Sequence, residues 1–478
     1  MSSADSTSAQ RWFWPAALTV LTLFALAMRW YYVSTAVVLN PVRGDATQYY
    51  SYAWNLLHHG VFSKDVPGAA SITPDNYRDP GYPLFLALLM KALGAGSNWY
   101  AAVLLCQALL GAVTVTLATQ LGRYWLSAGW AIAAGVLMAV WPHSITINGY
   151  LLTETLFSFL CVLGLLLWAR SCARKTAWVA LIAGLVLGAG ALTNAILLPF
   201  GILLAAFFAW RKLASRRICL ALAAGALLFP AAWAIRNAQL VTPQADSSST
   251  DRALQNLVQG TWPDYHSAWR NSVLGDASTQ NKALITLHSI DAEYNALRAS
   301  PVAGAKAILR RLNEQPLHYV VWYLLQKPRE LWGWNIRIGQ GDIYVYPTRN
   351  SPFQINRLWI VLEVAARACN PILMLLALAS LLAAWSGRRR QRQPDTYDHQ
   401  APLIAAMLLL AFVTLLYTAL QAEPRYSIPF RPFEMLLAMT TLAETSLWWR
   451  RHRFDSAMPK SPSPGSAPIR FSGDLRQV

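Results

Sequence analysis

Charge is what this chain has least of. Asp, Glu, Lys and Arg together make up 13% of its 478 residues, about half the share of an ordinary soluble domain. That excludes a conventional water-exposed surface over most of the chain. Acidic residues are scarcer still, 23 against 40 Lys and Arg, which leaves a net charge of +17. A surplus of that size suits a nucleic-acid binder only when the bases form a patch or a stripe. Here they stand in short clusters between apolar runs, which excludes nucleic acid as a partner. Cysteine is equally sparse. Cys106, Cys161, Cys172, Cys219 and Cys369 lie in or beside apolar runs without metal-ligand spacing, so neither a disulfide framework nor a structural zinc site is implied. His58, His59 and His143 show no ligand pattern either. No glycine loop suited to a phosphate is present, and no Ser/His/Asp context.

What is present is apolar. Hydrophobic residues reach 55% and the mean hydropathy is +0.31. The apolar runs approach the ~20 residues of a membrane-crossing helix, not the ~10 of a barrel strand. The expected fold is an all-α polytopic membrane protein of about ten (ten to thirteen) transmembrane helices. Interfacial helices are expected in its first outer loop, together with a small outer helical region. Spans are expected at 12–33, 99–121, 127–140, 150–168, 177–192, 195–210, 218–235, 358–385, 403–420 and 428–448. The first run lacks a small-residue cleavage site and reads as a retained span. Residues 82–94 are apolar but too short to cross, which predicts an interfacial or re-entrant helix.

These runs divide the chain into a tail (1–11), an N-terminal transmembrane module (12–235) containing a polar loop at 35–82, an outer region (236–356), C-terminal spans (357–449) and a final tail (450–478). The outer region carries mixed charges and predicts helices near 250–258, 280–299 and 302–327. Residues 142–149 read as a short loop. The last 25 residues, rich in Ser and Pro, read as disordered.

Orientation follows from the bases. Clusters stand at 123, 170–175, 211–217, 388–392 and 450–453, at every second junction, whereas the alternate junctions carry only Arg425. The positive-inside rule places both termini in the cytoplasm. The loop at 35–82, the region 236–356 and the loop at 421–427 then share the outer face.

Scarcity makes the remaining ionisable residues informative. Asp45 follows Gly44 just after the first span, with Tyr49 and Tyr52 at helical spacing on its own face. It reads either as a helix N-cap or as a reacting carboxylate. Glu154 lies just inside the fourth span, where an ionisable group costs up to about 3 kcal/mol and usually faces a cavity or a partner. The partner expected from position is an arginine such as Arg236. Arg78, Arg236 and Arg425 belong to no cytoplasmic cluster. All three can bind a phosphate through paired hydrogen bonds or reach lipid headgroups.

Several motifs now stand in order: Gly44-Asp45 with Tyr49; Arg78-Asp-Pro-Gly-Tyr82-Pro-Leu-Phe85; Thr153-Glu154; Trp233-x-x-Arg236-Asn237; and Glu423-x-Arg425-Tyr426-x-x-Pro429. Together, over most of 12–450, they resemble the membrane glycosyltransferases of the GT-C class. The likeness is to bacterial relatives of the protein O-mannosyltransferases and of the lipid A aminoarabinose transferase. Asp79 stands where such relatives usually carry proline, and Thr193-Asn194 where many carry a basic residue. The resemblance implies an inverting enzyme in the bacterial inner membrane, with its site facing the periplasm. It would move a sugar from a polyprenyl-phosphate donor to a lipid, glycan or protein acceptor. It implies Asp45 as general base and Glu154 as the residue orienting the site or the acceptor. Arg78, Arg236 and Arg425 would hold the leaving phosphate, with Tyr49, Tyr82 and Tyr426 as substrate contacts. A divalent metal ion is the one cofactor left open.

Two other classes compete. A lipid or solute transporter would show repeated halves with broken helices near the bilayer midplane, and no such symmetry is visible. A non-catalytic scaffold would not need an acid and arginines gathered at one interface.

Overall fold

The computed structural model of the protein describes residues 3–94, 98–240, 248–385 and 397–457. Among these, regular strand is confined to a two-residue antiparallel ribbon, β1 (Val37–Val38) with β2 (Thr348–Arg349), in which Val37 faces Arg349. Everything else that is regular is helical. The N-terminal module comprises α1 (Ser3–Thr35), α2 (Asp45–His59), α3 (Gly81–Leu93), α4 (Trp99–Gly122), α5 (Ala128–Val140), α6 (Pro142–Thr146), α7 (Glu154–Arg174), α8 (Ala177–Thr193), α9 (Phe200–Trp210) and α10 (Arg216–Ala238). The outer region holds α11 (Ser249–Gly260), α12 (Tyr265–Leu274), α13 (Ala277–Ala299), α14 (Pro301–Glu314), α15 (Pro316–Val321), α16 (Lys327–Leu331) and α17 (Pro352–Ile355). Last come α18 (Arg357–Trp385), α19 (Tyr397–Ala419), the short α20 (Pro424–Ser427) and α21 (Arg431–Ala457).

Every apolar run read as a span is helical. Among the described residues six helices are long and apolar enough to cross a membrane, on α1, α4, α7, α10, α18 and α19. A seventh results if α5 and the segment Pro142–Gly149, bent by 60° relative to it, form one broken span. The bend has a covalent cause. Pro142 has no N–H to offer the Met138 carbonyl, so the α5 ladder ends there. Residues 142–149 are accordingly a short helix and a 3₁₀ turn, not the loop expected from their polarity.

Lipid supplies no hydrophobic drive for helices to associate, so close backbone approach must substitute. Helices α8 and α10 meet through Gly184 and Gly225. A β-carbon on either would lie 2.2–2.3 Å from a carbonyl oxygen of the other helix. Helix α21 is anchored differently. Arg431 pairs with Glu434 at 2.7 Å, both side chains almost fully buried. Arg431 also donates to the carbonyls of Trp332 and Gly333 and to Asn370 Oδ1. A paired, hydrogen-bonded charge is tolerable inside a fold, where an isolated one is not.

The outer region packs around its own small core of Val258, Ile290, Tyr294, Leu297 and Ile308. Its caps are local: Ser248 and Asp251 form a capping box on α11, and Ser300 caps α14 with Pro301 in the first turn. The helix expected over 302–327 is interrupted at Gln315-Pro316, again where proline removes a donor. Helix α12 has no counterpart in the expected set. Helix α21 continues to Ala457, past the boundary drawn at 449. Residues 458–478 and the basic cluster at 388–392 lie outside the described residues.

Candidate active site

Four segments far apart in the chain bring their scarce charges together. The N-cap of α2 is Gly44, and no side chain caps that helix. Asp45 is its first residue, which corrects the capping reading: its carboxylate is used elsewhere. Oδ1 accepts from Arg78 Nη2 at 2.7 Å, and Oδ2 from Arg425 Nη2 at 2.7 Å. Arg425 then donates through Nε to Glu154 Oε1 at 2.6 Å. The result is an alternating row, Arg78–Asp45–Arg425–Glu154. Side-chain exposure peaks at Asp45, 31%, and falls inward to 10% for Arg425 and 5% for Glu154. Asp45 is thus the carboxylate at the mouth, and Glu154 the one sunk against the spans.

Each member has a local reason for its position. The α2 helix presents Gln48 and Tyr49 one turn beyond Asp45. Gln48 Oε1 accepts from Arg78 Nε at 2.5 Å, and the Arg78 guanidinium lies over the Tyr49 ring at 5.2 Å. Tyr49 meets the edge of Tyr82, whose hydroxyl donates to Gln107 Oε1 at 2.8 Å. Tyr346, near the end of the outer region, donates to the Arg43 carbonyl at 3.0 Å and so holds the turn before Asp45.

Arg425 is set by its neighbour Glu423, which is fully buried. Glu423 Oε2 accepts from the Arg425 backbone N–H at 3.2 Å, while Oε1 accepts from the N–H groups of Arg337 and Ile338 at 2.7 and 3.0 Å. Tyr426 stacks on Tyr417 and donates to Gln421, whose amide meets His266. Burial, helped by the charges of Arg337 and Lys327, keeps His266 neutral by lowering it to about 4.

Electrostatics divides the two outer carboxylates. Burial by itself would raise Asp45, but the guanidiniums of Arg78 and Arg425 and their hydrogen bonds hold it well below the usual carboxylate range. Burial alone would lower Arg78, but Tyr49 and then the pairing with Asp45 raise it. Glu423 goes the other way. Burial pushes it up to about 7, against the lowering effect of three backbone donors and Arg425. A carboxyl raised in the folded state binds more protons folded than unfolded. Its contribution to stability is therefore present at low pH and declines as pH climbs from about 4 through about 7. The melting temperature of the purified protein is expected to fall over that window, and the fall to be shallower in Glu423→Gln. Parallel slopes in the two proteins would show that another group sets it.

One sequence expectation needs correction, and one expected site residue stands apart. Glu154 pairs with Arg425, not Arg236, because α20 and not the end of α10 faces the start of α7. Arg236 stays outside the row: Nη1 donates to the Asp75 carbonyl and to Asn237 Oδ1, and its guanidinium lies over Trp233 and Phe62. In its place the structure brings Arg252 from α11. Arg252 pairs at 2.8 Å with Asp79, the residue beside Arg78, and Asp79 also accepts from the Ala195 N–H. With Tyr77 donating to Gln255 at 3.3 Å, this pair latches the outer helices onto the Arg78 turn. Arg252 escaped notice because it sits among the mixed charges of the outer region, where one arginine carries no signal. Among the described residues no group of three or more His, Cys, Asp or Glu could hold a metal ion.

No protein-family profile matches the chain, and no curated protein matches it by sequence. Solved structures do match. The archaeal oligosaccharyltransferase AglB from Archaeoglobus fulgidus, in complex with an inhibitory peptide and a dolichol-phosphate, aligns over 96% of this chain at 15% identity with a TM-score of 0.50. An Archaeoglobus fulgidus oligosaccharyltransferase in the apo form aligns over 93% of this chain at 16% identity, also at 0.50. ArnT from Cupriavidus metallidurans bound to undecaprenyl phosphate aligns over 95% of this chain and 82% of its own, at 13% identity and 0.37. The chain spans about half the length of the archaeal enzyme, 53% and 52% in the two structures. Both neighbours are GT-C glycosyltransferases, and the likeness to AglB is one of fold.

Proposed function

We propose that this chain is a polytopic GT-C-type glycosyltransferase of the bacterial inner membrane. On this reading it crosses the membrane about ten times, and its charged row faces the periplasm. It moves a sugar, with inversion, from a polyprenyl-phosphate donor to a lipid, glycan or protein acceptor. The observation that carries the reading is the row Arg78–Asp45–Arg425–Glu154. An enzyme that breaks a sugar–phosphate bond needs a proton acceptor beside fixed positive charge, and the row supplies both.

The step follows from the arrangement. The acceptor hydroxyl attacks the anomeric carbon as the bond from that carbon to the phosphate oxygen breaks. The hydroxyl proton passes to Asp45. A carboxylate held ionised by two guanidiniums is a poor base toward a resting alcohol. It accepts the proton late, once attack has made the hydroxyl acidic. Arg78 and Arg425 stand beside it with donors in a rigid fork suited to phosphate oxygens. As negative charge grows on the leaving phosphate, they exchange part of their bonding to Asp45 for bonding to phosphate. Arg252, bonded to Asp79 next to Arg78, is a further cation beside the row on this reading, whereas Arg236 is bonded to the Asp75 carbonyl and Asn237. Glu154 keeps Arg425 in register from the membrane side. No second carboxylate is needed as acid, since phosphate already leaves as an anion.

The reading is tested by mass spectrometry of membrane lipids from cells with the gene deleted and restored. A polyprenyl-phosphate sugar is expected to accumulate on deletion and to return to its former level on restoration. An unchanged lipid profile, in a strain freed of related transferases, would favour transport or scaffolding instead.

A further inference from the structure

Glu154, but not Asp45, lines a cavity of about 30 Å³ together with Arg29, Gly111, Thr114, Ser144, Asn148 and Thr155. Arg29 belongs to the first span and is 1% exposed. Part of its role is plain. Nη1 donates to the carbonyls of Ala25 and Ala139, and Nη2 to that of Met138. It therefore caps the carbonyls left open where Pro142 ends the α5 ladder, a place where a cation is favoured.

The cap does not use the whole side chain. Arg29 Nε is buried and has no hydrogen-bond partner, and the same holds for Asn148 Oδ1, Glu154 Oε2 and Thr155 Oγ1. One donor, two acceptors and a hydroxyl on the lining of one cavity are thus all unsatisfied. Leaving such groups dry costs about 1–3 kcal/mol each, more for the charged ones. Gly111 reports that two of them converge: a β-carbon there would lie 2.5 Å from Asn148 Oδ1 and 2.7 Å from Arg29 Nε. Roughly 10–15 Å³ of room accommodates one water, provided it finds two to four polar partners. This cavity has the room for about two and the partners for them.

We propose that the cavity holds a small cluster of ordered water that joins Arg29 to Glu154, making Arg29 a positioning residue for the site. The alternating row then continues inward as Arg78–Asp45–Arg425–Glu154–water–Arg29. Glu154 is held on both oxygens, by Arg425 directly and by hydrated Arg29 across the cavity. The charged groups around it are Arg425, which it binds, and Asp45 beyond, with the phenols of Tyr49, Tyr82, Tyr346 and Tyr417 within electrostatic reach and Arg29 across the shared cavity. Arg29 is the cation that shares the cavity lining with Glu154. The effect on transfer rests on the glycosyltransferase reading, whereas the hydration itself does not.

The test separates the two. The full-length protein in lipid nanodiscs is imaged at a resolution that shows ordered water, and its Glu154 carboxylate band is assigned by infrared difference against Glu154→Gln. Density for water between Arg29 and Glu154 is expected. The band is expected to shift in Thr155→Val, which removes one hydroxyl without touching the cap. It should shift further in Arg29→Met and return toward the wild-type position in Arg29→Lys. An empty cavity, or a band that ignores both Thr155→Val and Arg29→Met, overturns the proposal. So does a band displaced equally by Arg29→Lys and Arg29→Met, which would leave Arg29 as a helix cap alone. In cells, a misplaced Glu154 is expected to slow transfer on the order of 100-fold, read as accumulated donor lipid in Arg29→Met but not in Arg29→Lys. Donor lipid that responds to no variant, not even to deletion, would remove the glycosyltransferase reading while leaving the density and the band to decide hydration.

Discussion

Arg425→Met is expected to give the largest combined loss of any single substitution in this protein, in stability and in activity together. Arg425 bridges two carboxylates with two different nitrogens, Nη2 to Asp45 and Nε to Glu154. Without it, Glu154 loses its direct counter-charge while staying buried, and Asp45 loses one of two. Removing one partner of a buried pair typically costs about 3–5 kcal/mol, because the charge left behind is uncompensated. Transfer should fall on the order of 1,000-fold or more as a fixed donor near the leaving phosphate disappears. Arg425→Lys should recover little, since one ammonium cannot reproduce a planar fork bonded at two positions. The double substitution Arg425→Met with Glu154→Gln should regain most of the stability and none of the transfer. Thermal melting in detergent reads the first effect and accumulated donor lipid the second. Recovery of transfer in the double variant would show that Arg425 serves the fold alone.

Asp45→Asn should separate the same two quantities in the opposite sense. The carboxylate is 31% exposed, so solvent screens it, and the amide can still accept a hydrogen bond from one arginine. The expected stability loss is below about 2 kcal/mol. Activity is another matter, because an amide cannot take the acceptor proton. A positioned general base contributes about 100- to 10,000-fold, and the variant should accumulate donor lipid to the level of the deletion. The wild-type carboxylate sits well below its ordinary range because of its two arginines. Its stabilising effect is therefore complete above about pH 4 and is lost only in more acidic solution. Acid inactivation near neutrality would have to come from another group, and Glu423 is the candidate. A variant that is folded and still transfers would remove Asp45 from the proton's path and turn attention to Asp79 or Glu154.

Scarcity of charge marks residues in this chain but does not pair them. Asp45, Glu154, Arg78 and Arg425 were all legible, and for one reason. In a chain with so few charges, an ionisable residue in an apolar or interfacial setting is costly and stands out. Their pairing was not legible. Arg236 and Arg425 are equivalent in sequence, each a lone arginine at the outer end of a span, yet only Arg425 reaches Glu154. Arg252 was invisible for the converse reason, since one more charge in a mixed segment costs nothing. Arg29 lies inside the first span, and position in the chain does not say that its nitrogens meet the open carbonyls of α5 and the cavity that Glu154 lines.

The amino-acid sequence by itself determined the helical class, the apolar runs that become helices, the breaks at Pro142 and Pro316, and the four charges that must find partners. These are local consequences of hydropathy, missing N–H groups and the cost of dehydrating a charge. Only the tertiary structure decided which charges meet, that Glu423 sets Arg425 as the N-cap of α20 while also binding the Arg337 and Ile338 N–H groups, and that Glu154 lines a cavity with unsatisfied polar groups. Such contacts join segments up to 380 residues apart. Helix packing places them, through close approaches such as that of Gly184 and Gly225, and no periodicity along the chain encodes the rotation of one helix against another.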